Sequence, residues 1–418
     1  MRVVSLSSAI SLALLTTFSV TANAAVDQKL LDMLRANGSI NQAQHAELTA
    51  DLANETKAAT TSGQVTREEM SALEKKLAWA AKTQFKGDIR LRHERVDVDG
   101  EGRAEDRQRI RARLGAYSEV TPQVDAGIRI ATGSSDDGRS TNQSLDGYFE
   151  KKDLWLDQAY VDYHPDALPG LNLIGGKMSQ PWESMGDIIW DGDLNPEGAA
   201  ATYSHDLGGA ELFGSTGYYV LDDGVDANGV QTRYDLSMYT GQAGVKFGLG
   251  EAVKLTLGGS VYAFNNDNDA SSLNDDGTLT VFEALGNTED EFELYEAFAK
   301  ADITGFVLPL SVYGQYVKND KASEYDTAWL AGFKTKWNAL SFDYNYRDVQ
   351  RNGVVSALTD SDFGGGTTGS RGHKFKLGYA LDKNIGVGLT YLMAQSDTYG
   401  PETDADVNTL QVDLEAKF

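Results

Sequence analysis

The chain has 418 residues, of which 41 % are hydrophobic and 24 % charged, with a formal net charge of -25 and no cysteine. So acidic a total excludes a nucleic-acid binder, which needs a basic field. The missing cysteine excludes a disulfide framework and a thiolate metal site, and 43 glycines and 19 tyrosines against 7 prolines suit many strands and turns better than many helices.

Met1 and Arg2 form a short n-region, Leu6 to Val20 an apolar stretch broken by serines and threonines, and Ala22-Asn23-Ala24 a small-residue cleavage pattern. The expectation is an exported chain cleaved after Ala24. No later stretch reaches the roughly 18 apolar residues of a transmembrane helix. The predicted division is a signal peptide (1–24), a helical periplasmic segment (25–84) and a β-domain (85–418).

In the helical segment, Leu30, Leu31 and Leu34 mark a first helix that stops at Asn37-Gly38. Ser39 and Gln42 stand at capping-box spacing ahead of a second helix over 43–54. Thr66 and Glu69 repeat that spacing, and Met70, Leu73, Leu77 and Ala80 then recur at heptad a/d positions. Two readings stand side by side: a periplasmic coiled coil that trimerises the chain, or a short amphipathic helix packed on or inside the β-domain.

From Phe85 the period is two. In the last segment Leu410, Val412, Leu414, Ala416 and Phe418 alternate with Gln411, Asp413, Glu415 and Lys417. Leu340, Phe342, Tyr344 and Tyr346 alternate with Ser341, Asp343, Asn345 and Arg347. Trp329, Ala331, Phe333, Thr335 and Trp337 alternate with Leu330, Gly332, Lys334 and Lys336. Charges recur too often on the second face for a packed core, where Lys and Arg are almost never fully buried unpaired. Short links such as Thr121-Pro122 and Asn338-Ala339 alternate with long ones such as 133–151, 180–196 and 351–370. Short periplasmic turns alternating with long outer loops mark a transmembrane barrel. The fold expected is an all-β transmembrane barrel of about sixteen antiparallel strands; one hairpin fewer or more gives fourteen or eighteen. The segment 152–164 is ambiguous in face, because Asp157 and Asp162 fall on opposite phases.

The first three strands concentrate arginine at even spacing: Arg90 and Arg92, then Arg107, Arg109, Arg111 and Arg113, then Arg129. On the lipid face each would cost about 2–4 kcal/mol at mid-depth, so they are placed inward as a basic pore wall. The third long loop, 180–196, carries Glu183, Asp187, Asp191 and Asp193 among Trp182, Met185, Ile188, Ile189 and Trp190. Such a loop is expected to fold inward and set its carboxylates opposite the arginines, giving a transverse field at a constriction. The plainer reading is a surface loop, with the arginines pairing to nearby acids such as Glu94 and Asp88. Acidic runs such as Asp267-Asn268-Asp269 and Asp275-Asp276-Gly277 lack EF-hand spacing and read as solvated loops, with no metal site expected. His45, His93, His164, His205 and His373 stand in no Ser/Asp signature, so an outer-membrane hydrolase is not expected.

The sequence resembles the Gram-negative outer-membrane porins, and more narrowly the "putative porin" family with a helical N-terminal segment. The residues that carry this are 154–163 (LWLDQAYVDY), Gly175-Gly176-Lys177-Met178, Pro181-Trp182, 191–198 (DGDLNPEG) and the terminal Phe418. The third-loop motif of the general porins is not clearly present, so the constriction residues rest on position. The resemblance implies a passive diffusion channel for small hydrophilic solutes and ions, usually homotrimeric and without a cofactor. It also implies insertion by the barrel-assembly machinery, which reads the C-terminal strand with Phe418 as its signal, and contact with outer-membrane lipid and lipopolysaccharide. The alternatives are a substrate-specific, anion-binding channel that uses the arginines, and a structural anchor or adhesin barrel without an open pore.

Overall fold

The computed structural model describes residues 31–32, 34–36, 41–51, 82–134, 137–223, 225, 235–267, 286–289, 291–401 and 403–418. The cleavage site after Ala24 and the heptad positions Met70 to Ala80 lie outside the described residues. The chain divides into two units, 1–78 and 79–418.

In the first unit, residues 42–51 form a helix. Its capping box falls on Asn41 and Gln44: the Asn41 N–H donates to the Gln44 side chain and the Gln44 N–H to the Asn41 side chain, both at 3.0 Å. That is two residues later than the Ser39–Gln42 pair, because Asn accepts the N3 amide as well as Ser does. The His45 ring meets Asp32 at 2.9 Å.

The second unit is a closed antiparallel barrel of sixteen long strands. They are β1 (Thr83–Val98), β2 (Glu105–Thr121), β3 (Val124–Thr132), β4 (Leu154–Tyr163), β5 (Leu171–Lys177), β6 (Glu197–Asp206), β7 (Ala210–Asp222) and β8 (Leu236–Leu249). There follow β9 (Val253–Asn265), β10 (Glu293–Ile303), β11 (Leu310–Asn319), β12 (Thr327–Trp337), β13 (Leu340–Val349), β14 (Ser370–Ala380), β15 (Ile385–Ser396) and β16 (Ala405–Lys417). Every strand pairs with its sequence neighbours, and β1 pairs with β16 from Asp88–Lys417 to Val98–Val407. A two-residue bridge, Gln143–Ser144, adds to β2 from the loop after β3.

The phase expected from the sequence holds. Val412, Leu414 and Phe418 are exposed outward, while Thr409 and Gln411 are buried inside. Exposed aromatics gather in two belts: Tyr218, Tyr239, Tyr295, Tyr316 and Trp329 near the long-loop rim, and Tyr163, Tyr203, Trp337, Tyr379 and Phe418 near the short-turn rim. Such belts sit where lipid tails meet headgroups. The ambiguity in β4 resolves into a β-bulge: Arg129 opposes Gln158 and Ile130 opposes Leu156, leaving Asp157 as the extra residue. The bulge turns both Asp157 and Gln158 inward, where they are buried.

The seam is finished at Phe418. Gly87 N–H donates to the Phe418 carbonyl at 2.9 Å and Phe418 N–H to the Gly87 carbonyl at 3.0 Å. The Phe418 ring lies over Gly87, where an added Cβ would come within 2.6 Å of it. Deleting Phe418 removes both bonds, worth about 1 kcal/mol each, together with the ring contact. The yield of heat-modifiable barrel on refolding into vesicles should fall several-fold on unheated gels; an unchanged yield would leave this residue no part in closure.

Candidate functional site

The seven arginines of β1 to β3 all reach into the lumen. In the β1–β2 register Arg90 stands opposite Arg111 and Arg92 opposite Arg109, flanked by Asp88–Arg113 and Glu94–Arg107. Like charges placed directly opposite are unfavourable, and carboxylates relieve them. Glu94, 1 % exposed, accepts from Arg107 at 2.5 Å, Arg109 at 3.3 Å and Gln411 at 2.9 Å. Asp88 accepts from Arg111 at 2.9 Å and Arg113 at 2.8 Å. Arg111 also reaches Glu415 at 2.6 Å, Arg92 reaches Asp413 at 2.7 Å, and Arg129 pairs with Asp157. Arg90 differs. It donates to the Asn142 side chain at 2.7 Å and has no ion pair among the described residues.

The 178–196 loop folds into the barrel. Trp182, Met185, Ile188, Ile189 and Trp190 are buried against Tyr219, Tyr262, Leu294 and Leu330 of the inner wall. The two indoles lie 4.9 Å apart, and Trp190 meets Tyr262 edge-on at 5.2 Å. Burying each such side chain favours the inward position by about 1.5–3 kcal/mol. Gly186 permits the close approach, since a Cβ there would overlap the Leu330 side chain. This explains why Leu330 occupies the polar phase of β12: it faces a loop rather than water.

The four acids of the loop go to different partners. Asp193 reaches Arg113 at 3.5 Å and accepts from the Thr141 hydroxyl at 2.8 Å. Glu183 meets Lys246 at 2.6 Å. Asp187 turns away from the first three strands and pairs with Arg347 of β13 at 2.6 Å and Lys374 of β14 at 2.5 Å. Asp191 accepts the backbone amides of Asp193 and Ser361, each at 2.9 Å.

A second loop, 350–369, also folds inward and pairs with the first. Asp191 N–H donates to the Leu358 carbonyl at 2.8 Å, Asp360 N–H to the Asp187 carbonyl at 3.1 Å, and the Thr359 hydroxyl to the Ile188 carbonyl at 2.8 Å. Its Asp360 shares Arg347 and Lys374 with Asp187, and its Asp362 meets Arg92 at 3.2 Å. Arg139, from the loop after β3, donates to the Ser356 and Gly366 carbonyls at 3.0 and 2.9 Å. Val354, Val355 and Leu358 join the same apolar cluster as the two tryptophans. The sequence marks this segment only as a long link and Arg347 only as a polar-face residue; it assigns no site role to either, nor to Lys374 and Lys376. The three cations did carry a signal, since each sits on the polar phase of its strand; nothing local marked Asp360 or Arg139.

Between the loops and the wall lies a cavity of about 240 Å³, whose charged lining is Arg90, Arg92, Lys374, Lys376 and Asp413 from the strands and Arg139, Asp187, Asp191, Asp193, Asp360 and Asp362 from the loops. Lys376, like Arg90, has no ion pair among the described residues. The loop acids are not alike. Burial raises the Asp187 carboxyl, but Arg347 and Lys374 outweigh it and hold the group well below the usual range. Burial, aided by Asp360, pushes Asp191 up to about 8. The loop contact that Asp191 makes therefore weakens as pH rises from the ordinary carboxylate range toward 8, because the unfolded carboxyl is already ionised there. Above pH 8 it adds one negative charge to the cavity. The anion-to-cation permeability ratio should then fall between pH 7 and 9, and Asp191→Asn should abolish that step. A ratio equally pH-dependent in the variant would place the titrating group elsewhere.

The sequence matches a family model described as "Putative porin" over residues 99–294 and 297–418. Over 33 residues, 8 % of the chain and 85 % of the relative, it is 61 % identical to the "Phosphate starvation-inducible protein 1" of Pseudomonas fluorescens. Among solved structures it is similar to a mutant of the Rhodopseudomonas blastica porin (11 % identity, TM-score 0.45, covering 80 % of this chain and 100 % of that one). It is also similar to Salmonella typhi OmpF in complex with daunomycin (12 % identity, TM-score 0.49, 80 % and 97 %).

Proposed function

The chain belongs to this porin family and is an outer-membrane porin channel, and from that premise we propose that it is a diffusion channel with an anion-preferring constriction between the arginine wall and the two inward loops. The observation that carries the reading is the pair Arg90 and Lys376, two cations free of carboxylate partners among the described residues, facing one cavity of about 240 Å³. The other cations of that cavity, Arg92, Arg139 and Lys374, are neutralised in place. A small polar anion entering the cavity meets two donors whose charge is not already spoken for.

In this reading Arg107, Arg109, Arg111, Arg113 and Arg129 hold the wall in register with its acids and keep the field directed across the pore. Glu183, Asp187 and Asp193 fasten the loop. No covalent chemistry is involved; residues set only field and size. The anion class is phosphate-like, in keeping with a relative named for induction by phosphate starvation. The reading also takes the channel to be a homotrimer, exported with removal of residues 1–24, inserted by barrel-assembly machinery through the strand ending at Phe418 and seated among lipopolysaccharide. Planar-bilayer recording in a KCl gradient tests the constriction: the reversal potential should report preference for chloride, and preference for potassium would overturn it.

A further inference from the structure

Lys376 lines two cavities. One is the constriction described above. The other, of about 430 Å³, lies on the lumen wall toward the short-turn rim and is lined also by Lys334, Lys336, Ser311, Asp302 and Asp343. The strand register connects them. Lys376 stands opposite Asp343, Asp343 opposite Lys334, Lys334 opposite Ser311, Ser311 opposite Asp302 and Asp302 opposite Lys254. Directly opposed residues share a face, so these six form one row on the lumen side, one strand spacing of about 4.8 Å per step. Strands in such barrels tilt by roughly 35–45°, so a row perpendicular to them descends. This one runs from the constriction to Lys254, the second residue of β9 after a short turn.

The two acids of the row are already engaged. Asp343 accepts from the Tyr313 hydroxyl at 2.6 Å and meets Lys334 at 3.4 Å. Asp302 accepts from the Ser311 hydroxyl at 2.6 Å and meets Lys300 at 3.2 Å. Lys336 and Lys376 have no ion pair among the described residues. The wall thus presents ammonium groups at the second cavity beyond those its acids hold, with the Ser341 hydroxyl beside them.

We infer that the cavity formed by Lys334, Lys336 and Lys376 is a second binding station for a small oxyanion of the inorganic phosphate class, to which Lys376 passes the ion from the constriction. The inference rests on the anion reading above and assigns the exit path, with a residence site on the periplasmic side.

The test is block of chloride current by inorganic phosphate, added to one side of the full-length channel in a planar bilayer. In the wild type, phosphate on the short-turn side blocks. In the double variant Lys334→Gln, Lys336→Gln the half-blocking concentration from that side rises about tenfold, while block from the long-loop side changes by less than about twofold. The variant Lys334→Arg, Lys336→Arg keeps the charge and retains the block, and unheated gels confirm that each barrel is folded. An anion-preferring channel whose short-turn-side block is equal in wild type and double Gln variant overturns the second station alone. A potassium-preferring channel without block overturns both readings.

Discussion

Arg347→Met widens the channel: single-channel conductance in KCl rises about twofold or more and fluctuates between levels, while the barrel stays folded. Arg347 is 1 % exposed. Its guanidinium holds Asp187 at 2.6 Å and Asp360 at 3.0 Å, one acid from each inward loop, donates to Asn345 at 3.1 Å and lies 4.8 Å from the centre of the Phe363 ring. Methionine fills much of the volume and removes every one of these polar contacts. Two buried carboxylates then share Lys374 alone. Breaking a buried pair in this way costs about 3–5 kcal/mol, of the same order as docking one loop on the wall. The strand pairings at Arg347 run through its backbone and not its guanidinium, so the penalty falls on the loops. Unchanged conductance with a normally heat-modifiable band would mean that the apolar cluster of Trp182, Ile188, Ile189 and Trp190 holds the loops without the ion network.

The second large effect concerns selectivity. Arg90→Gln with Lys376→Gln should move the anion-to-cation permeability ratio about tenfold toward cations. A unit charge near 4 Å is worth about 1 kcal/mol even at the dielectric of water, and two are removed. The cations left in the cavity are held: Arg92 by Asp413 and Asp362, Lys374 by Asp187 and Asp360, and Arg139 by Asp137. Neutralising Arg109, Arg111 and Arg113 also favours cations, by a different route, because it releases Glu94 and Asp88 from their partners. That triple variant should lose thermal stability as well, whereas the Arg90 and Lys376 pair should not. Reversal potentials and melting curves of both variants separate the two cases; equal loss of stability would mean that Arg90 and Lys376 are structural.

The barrel was legible because its rule is local. A lipid-facing side chain every second residue, with short and long links alternating, can be read without knowing any contact. The β4 segment escaped that rule where a bulge added Asp157, and its mismatch of phase was itself the sign of the bulge. The arginines of β1 to β3 were visible because four of them recur at period two within one strand. Their partners were only partly so: Asp88 and Glu94 stand within the same hairpin, whereas Asp413 and Asp362 come from more than 250 residues away. The 178–196 loop announced itself by mixing tryptophan and isoleucine with acids. The 350–369 loop has a weaker mixture, and its inward position depends on backbone pairing with the first loop, which no composition reveals. Asp187 illustrates the limit. Its expected partners lay across the pore, yet Arg347 and Lys374 are nearer because the loop packs against the opposite wall.

The seam between β1 and β16 has a consequence for timing. It joins the two ends of the barrel domain, through the contact most distant in sequence, and closing so long a loop is the slowest and entropically most expensive step available to the chain. Until β16 has been delivered, every partial sheet carries two bare edges, each a template for pairing with another chain. A polypeptide built this way is safest when kept unpaired in transit and allowed to close only at the membrane. The closing strand therefore acts as a completion check, since only a chain delivered through β16 can shut both edges at once.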